Sequence, residues 1–473
     1  MHALLATSIG VTCAAALTLP LAAPAPAAPA PAPVAHAPAA PAAEPSGSTQ
    51  SLPLRPLTDA APRATESLSP AAQGLRQRDA HRFSLVGVVW DDADAELHGT
   101  VQVRARATGT ARWSGWQDLE THNTDHAADT GSAERTSGRV RGSTAPLWVG
   151  DSDGVEVRVR SEDSAPRSRA GGSAPLPEGL RVELVDPGDD PQQPPTTITP
   201  ATGTPATGTP TAVTPVTSPQ PGALPEAVGL GLAAAESSAV NADLAPLGAT
   251  EIPALSKAES EEQAVVAAGA KPFVGPRPRI VTRKGWGADE SIRERAFAYT
   301  TTVKAAFIHH SATGNNYTCS QAPSVLRSIY RYHVKSSGWR DFGYNFAVDK
   351  CGNIYEGRAG GVTKAVLGAH TLGFNTKSMG IAVLGTYTSK NPPAAAVTAI
   401  AKLTAWKLGL FGRNPKGKVT LVSGGSGKYK KGASVKLNVI SGHRDGFATE
   451  CPGSRLYKKL GTARTSSAQL QGR

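Results

Sequence analysis

The stretch TTVKAAFIHHSA, residues 301–312, decides the fold. Its apolar run is too short for a helix of ordinary length and reads as a buried strand that ends in two histidines. Working outward, APSVLRSIYRYHVKSSG (322–338) places Val325, Leu326, Ile329 and His333 at helical spacing, with Gly338 after its end. YNFAVDKCGNIYEGR (344–358) reads as a hairpin, two apolar runs around a turn at Asp349–Asn353. MGIAVLGTY (379–387) is another buried strand. PPAAAVTAIAKLTAWKLGL (392–410) is a helix with proline at its start and Gly409 near its end. KLNVISGH (436–443) is a strand that again ends in a histidine. Strands alternating with helices, polar residues at strand ends, predict an α/β domain over 276–465: a central mixed sheet flanked by helices, with a site at the sheet's rim.

The remaining sequence divides by texture. Residues 1–30 read as an export signal, an apolar run closing in Ala-x-Ala-like residues, although the start carries only His2 and no Lys or Arg. Residues 31–77 are Ala/Pro-rich and are expected to be disordered. From 78 to 188, FSLVGVVW, GTVQVRARA, PLWVGDSDGVEVRVRS and GLRVELVD alternate apolar and polar residues between Gly, Asp and Ser turns. That pattern predicts a β-sandwich-like domain whose core takes Trp90, Trp113, Trp116 and Trp148. Residues 189–275 are a Thr/Pro/Ala-rich linker with a weak helical stretch at 261–270, and 466–473 are a tail.

Charge is split between the halves. From Lys271 onward there are 32 Lys+Arg against 8 Asp+Glu, a net +24, which leaves −13 for residues 1–270. The basic half suits a polyanionic partner, either nucleic acid or the anionic polymers of a bacterial wall. It lacks a recognisable DNA-reading helix or aromatic platform, which argues against nucleic acid. Beyond the signal no run reaches the roughly 18 apolar residues that span a membrane. The protein is therefore expected to be exported, extracellular and without a transmembrane segment.

Once the signal containing Cys13 is removed, three cysteines remain: Cys319, Cys351 and Cys451. In an oxidising compartment that suggests one disulfide and one thiol needing a reason. In GHRDGFATECPG (442–453), His443 and Cys451 share a short polar loop. His309 or His310 lies at the end of another strand, which one sheet can bring to the same rim. Two imidazoles and a thiolate make three ligands for zinc and leave a fourth tetrahedral position open. Taken alone, a His-x7-Cys spacing is a weak signal, and separate packed residues account for it.

Five segments in order settle the matter by resemblance. IVTRKGWGADE (280–290), FIHHSAT (307–313), GWRDFGYNFAVDKCGNIYEGR (338–358), GAHTLGFNTKSMGIAVLGTY (368–387) and ISGHRDGFATECPG (440–453) resemble the zinc-dependent N-acetylmuramoyl-L-alanine amidases, which share their fold with animal peptidoglycan recognition proteins. The resemblance implies one Zn²⁺ per domain, held by His309, His443 and Cys451, with His310 a packing neighbour. It implies Tyr344 as the catalytic tyrosine and Thr449 as a second group on the intermediate, where some relatives carry lysine. Glu450 is expected at the surface. His370, Asn345 and Arg358 are the substrate-binding candidates. Cys319 and Cys351 are expected to pair and clip the helix end to the hairpin turn.

The expected activity is hydrolysis of the amide between the lactyl group of N-acetylmuramic acid and L-alanine in peptidoglycan, by a secreted, wall-associated enzyme. The alternative is a recognition module that binds peptidoglycan without turnover. Such modules often replace the ligand cysteine by serine, and Cys451 is retained here. The Gly/Lys-rich insertion at 414–438 reads either as a surface hairpin or as a basic flap over an anionic glycan.

Overall fold

The computed structural model describes residues 47–57, 72–121, 124–162, 175–190, 230–268 and 273–473. All of them lie within one unit, Ala42–Arg473. The expected signal peptide, most of the Ala/Pro segment and the Thr/Pro repeats at 199–219 lie outside the described residues.

The C-terminal half is built on a seven-stranded mixed sheet. Its order is Ile440–Gly442, Ala305–His310, Ser378–Val383, Phe346–Val348, Ile354–Glu356, Ile280–Val281 and Glu251–Ile252. The first four of these strands are parallel. Parallel strands are covered on both faces, so every residue of Ala305–His310 and Ser378–Val383 is buried. On one face lies the helix Ala394–Leu410, entered through Pro393, with Ile400, Leu403 and Trp406 buried in the main core. On the other lies Ala322–Arg331, whose Val325, Leu326 and Ile329 face the sheet. The disulfide Cys319–Cys351 joins the start of that helix to the turn between Phe346–Val348 and Ile354–Glu356.

The N-terminal half is an antiparallel network ordered Ser48–Pro53, Arg181–Asp186, Ala72–Trp90, Leu147–Ser161, Gly99–Ala107 and Gln117–Leu119. The long strand Ala72–Trp90 keeps Leu147–Ser161 as its neighbour over most of its length and gains a second neighbour along its last part. It pairs with Leu147–Arg160 from Ala72 to Val86, across register shifts near Arg78 and Phe83, and Leu85–Val89 also pair with Arg181–Val185. Such irregularities bend a strand and let one network wrap a core.

Several boundaries differ from the sequence reading. Ser48–Pro53 is a strand paired to Arg181–Asp186, so the β-rich domain reaches back into the segment read as disordered. The strand is short, and its side chains gave too little alternation to stand out beside the Ala/Pro run. The linker read at 189–275 is partly folded: Leu232–Ala239 and Lys257–Ala268 are helices, and Glu251–Ile252 is the sheet's edge strand. The tail is the end of the helix Leu460–Gln471; Ser467 meets Thr404 at 3.0 Å and Gln471 Nε2 donates to Ala405 O at 2.9 Å. KLNVISGH divides into Ser434–Asn438, in a hairpin with Lys418–Val422, and Ile440–Gly442, in the main sheet. That hairpin packs Leu421, Val435 and Leu437 on Phe307 and Phe374, a built surface element. Of the four tryptophans, Trp90 and Trp148 are buried, whereas Trp113 and Trp116 lie beneath the guanidiniums of Arg104 and Arg158.

The two halves share a core. Leu85, Val89, Trp148 and Val185 pack with Ala322, Val325, Leu326, Ile329 and Tyr332. Tyr332 donates its hydroxyl hydrogen to Thr144 O at 3.0 Å. Its ring lies so close to Gly87 that a β-carbon there would be 2.4 Å from the hydroxyl oxygen.

Candidate metal centre

His309 lies at the end of the strand Ala305–His310, and His443 follows Ile440–Gly442 directly. Those strands pair in parallel, so their carboxyl ends reach the same rim. Cys451 returns to it through the loop after His443; Arg444 N–H donates to Cys451 O at 3.0 Å, which closes the loop. Thr449 Oγ1 accepts from Cys451 N–H at 3.2 Å, so its hydroxyl orders the segment that presents the thiol. The expected triad therefore comes together: Cys451 Sγ is 3.7 Å from His309 Nδ1, and all three side chains are fully buried.

A fourth donor joins them, and sequence reasoning missed it. His126 lies on the one-turn helix Thr124–His126 of the N-terminal half. His126, His309, His443 and Cys451 each offer one ligand atom, all within 4.8 Å of one another. The ring centroids of His126 and His309 each stand 4.5 Å from that of His443. The one available signal was length: roughly 20 residues without regular alternation, between Leu119 and Gly142, are unusual inside a β domain.

The ring nitrogens show how the set would hold a metal. His309 Nε2 is 3.4 Å from Thr371 Oγ1, which in turn lies 3.0 Å from His370 Nδ1. His443 Nε2 donates to Asp125 O at 3.2 Å, while its Nδ1 is buried without a hydrogen-bond partner and 3.8 Å from Asp125 Oδ2. Tyr344 Oη is 2.9 Å from His126 Nδ1, and Nε2 of that ring is 3.7 Å from Asp125 Oδ1. A metal-binding histidine typically has its second nitrogen fixed in this way. Burial and the neighbouring imidazoles hold His309 and His443 well below the usual histidine range; burial pushes His126 down to about 3. Burial, with Asp125 and Glu120 nearby, raises the Cys451 thiol. Three neutral imidazoles around one thiol, one nitrogen orphaned, fit a borderline-soft dication such as zinc, on which a thiol ionises.

The other expected residues divide. Tyr344 is buried against His126 and His309. His310 turns away from the cluster: Nδ1 accepts from Tyr387 N–H at 3.2 Å and Nε2 faces Glu120 at 3.4 Å. Glu450 is exposed and pairs with Arg444. Two of the substrate-binding candidates are held within the fold. His370 is fully buried beside His309, ring centroids 5.3 Å apart. Asn345 is buried and consumed by the fold: Nδ2 donates to Val366 O, and Oδ1 accepts from Gly380 N–H. Arg358 does face the N-terminal half, where the Glu134 carboxylate accepts from Nη1 at 2.8 Å and Nη2 at 2.9 Å.

The chain is similar in sequence to known proteins. Residues 299–454 match the family described as N-acetylmuramoyl-L-alanine amidase, and residues 30–178 match one described as Rv3811 N-terminal galactose-binding domain-like. Peptidoglycan-recognition protein SC2 of Drosophila simulans is 32% identical over 185 residues, covering 39% of this chain and 85% of that protein. The N-acetylmuramoyl-L-alanine amidase of Homo sapiens is 31% identical over 211 residues, 43% of this chain and 32% of that protein. Among solved structures, peptidoglycan recognition protein-LE in complex with tracheal cytotoxin is 29% identical, covers 39% of this chain and 92% of that chain, and has a TM-score of 0.30. With the ordered sequence segments, the buried His/Cys cluster and the sequence matches together, the chain belongs to the family of N-acetylmuramoyl-L-alanine amidases and peptidoglycan recognition proteins.

Proposed function

We propose that the chain is a zinc-dependent N-acetylmuramoyl-L-alanine amidase, exported to act on peptidoglycan. One observation carries the reading: a buried thiol, Cys451, facing His309 and His443 beside Tyr344. Binding alone has no use for such a donor set. His309, His443 and Cys451 would hold the ion, which supplies a Lewis acid for the amide carbonyl and acidifies a water. Tyr344 then lies where its phenol can donate to the carbonyl oxygen as charge builds on it. Burial raises its pKa well above the ordinary value, so it remains a donor. Thr371 and His370 keep His309 in register from behind. Arg358 offers a guanidinium to an anionic group of the substrate, and the excess of basic residues from Lys271 onward favours anionic wall polymers.

The test compares the full chain with Cys451→Ser. Bound zinc is measured by elemental analysis, and new L-alanine amino termini are counted after incubation with muropeptide. Zinc near one equivalent with amine release in the wild type, both lost in the variant, is the expected result. Muropeptide binding with neither zinc nor release makes the chain a recognition protein.

A further inference from the structure

The proposed hydrolysis does not use the N-terminal half, yet that half fills the site. Asp125 O accepts from Leu372 N–H at 2.9 Å and Ala127 O from Asn375 Nδ2 at 3.0 Å. Asp129 Oδ1 accepts from Gly373 N–H and Asn375 Nδ2, both at 2.7 Å. Glu134 makes its two-pronged contact with Arg358 and also accepts from Arg340 N–H at 3.1 Å. Asp125, His126, Ala127, Ala128 and Glu134 are all buried. A peptide ligand would make the same kinds of contact: main-chain hydrogen bonds along the groove and carboxylates on its cations.

We propose that His126 is a fourth protein ligand of the metal and that residues 124–139 occupy the substrate groove, so that this conformation is a latent form of the enzyme. The proposal rests on the amidase reading for its consequence, but the ligand assignment stands on geometry alone. A catalytic zinc keeps one position open, whereas a site with four protein ligands is closed. Three ligands come from the amidase domain and the fourth from the other domain. Tyr344 is also diverted, its hydroxyl held by His126 Nδ1. His443 even takes its orienting acceptor from the inserted segment, Asp125 O. Metal, tyrosine and cation are thus engaged at once by one stretch of chain. Its displacement would free all three and leave His309, His443 and Cys451 in place.

The experiment uses the full chain loaded with Co²⁺ in place of zinc, as wild type, His126→Ala and Glu134→Gln. Azide is the probe. It binds a cobalt ion with an open position and shifts the visible bands, while the thiolate-to-cobalt band reports that Cys451 remains bound. Azide should leave the wild-type spectrum unmoved and shift that of His126→Ala. Glu134→Gln, which keeps all four donors, should respond partially. Muropeptide cleavage by the zinc forms should rise at least about tenfold in both variants, as expected when the competent fraction grows by that factor. Equal azide response in wild type and His126→Ala, or equal cleavage by an active wild type and both variants, overturns the proposal. Azide gating with no cleavage by any form would leave the fourth ligand standing and sink the amidase reading instead. Should His126→Ala fail to fold, Glu134→Gln carries the test, and an unmoved spectrum there counts against the proposal.

Discussion

Removing the Cys319–Cys351 cross-link should cost stability without touching the metal centre. The bridge spans a sequence separation of 32 residues. Opening it releases about 12 cal/mol/K in the unfolded chain, about 3.7 kcal/mol at 25 °C. The folded turn should survive, because Asp349 organises it independently of the bridge. Its Oδ1 accepts from the N–H groups of Cys351 and Asn353, and its Oδ2 from Tyr355 Oη, each at 2.9 Å. The loss therefore falls on the unfolded state. The size of the shift depends on what melts. At about 2.1 cal/mol/K per residue, the melting temperature drops by about 7 °C if the roughly 240 described residues from Leu230 onward unfold alone, and by about 5 °C if roughly 350 residues of both halves unfold together. The shared core around Tyr332 favours the smaller figure. Calorimetry of Cys319→Ser/Cys351→Ser beside the wild type, with zinc content measured on both, decides it. An unchanged melting temperature refutes the entropic reasoning. Loss of zinc refutes the claim that the clip and the metal centre are independent.

Three further outcomes are expected. Thr371→Val removes the partner of His309 Nε2 and should weaken zinc binding about 10- to 100-fold in a chelator competition; an unchanged affinity would show that the 3.4 Å contact does not orient the ring. Burial raises the Glu356 carboxyl to about 7, so its contribution to stability is full below the ordinary carboxyl range and is lost as pH rises through 7, about 3 kcal/mol in all; denaturant melts of wild type and Glu356→Gln should diverge across that window, and parallel curves would contradict the shift. Gly87→Val drives a side chain into the Tyr332 ring and should cost about 1–3 kcal/mol, read by the same melts; no loss would mean that the domain interface yields freely.

The ligand strands were legible because burial on both faces leaves a plain mark, an apolar run such as Ala305–Ile308 that stops at a polar residue. The ends of Ala305–His310 and Ile440–Gly442 carried that mark, and their parallel pairing did the rest. His126 carried none. It sits 183 positions before His309, in a polar stretch of a different domain, and no period or spacing links the two. The edge strands Ser48–Pro53 and Glu251–Ile252 escaped because short strands at a sheet's margin need little apolar alternation.

Because His126 and the metal centre belong to one chain, their encounter is intramolecular. Diluting the protein would not weaken it, and a soluble substrate would compete against an effective concentration fixed by the connecting chain rather than by the amount of enzyme present. Substrate supply alone is then a poor activator. Control passes to whatever loosens the contact between the domains: a ligand engaging the β-rich domain, or a cut in the chain that lets that domain diffuse away.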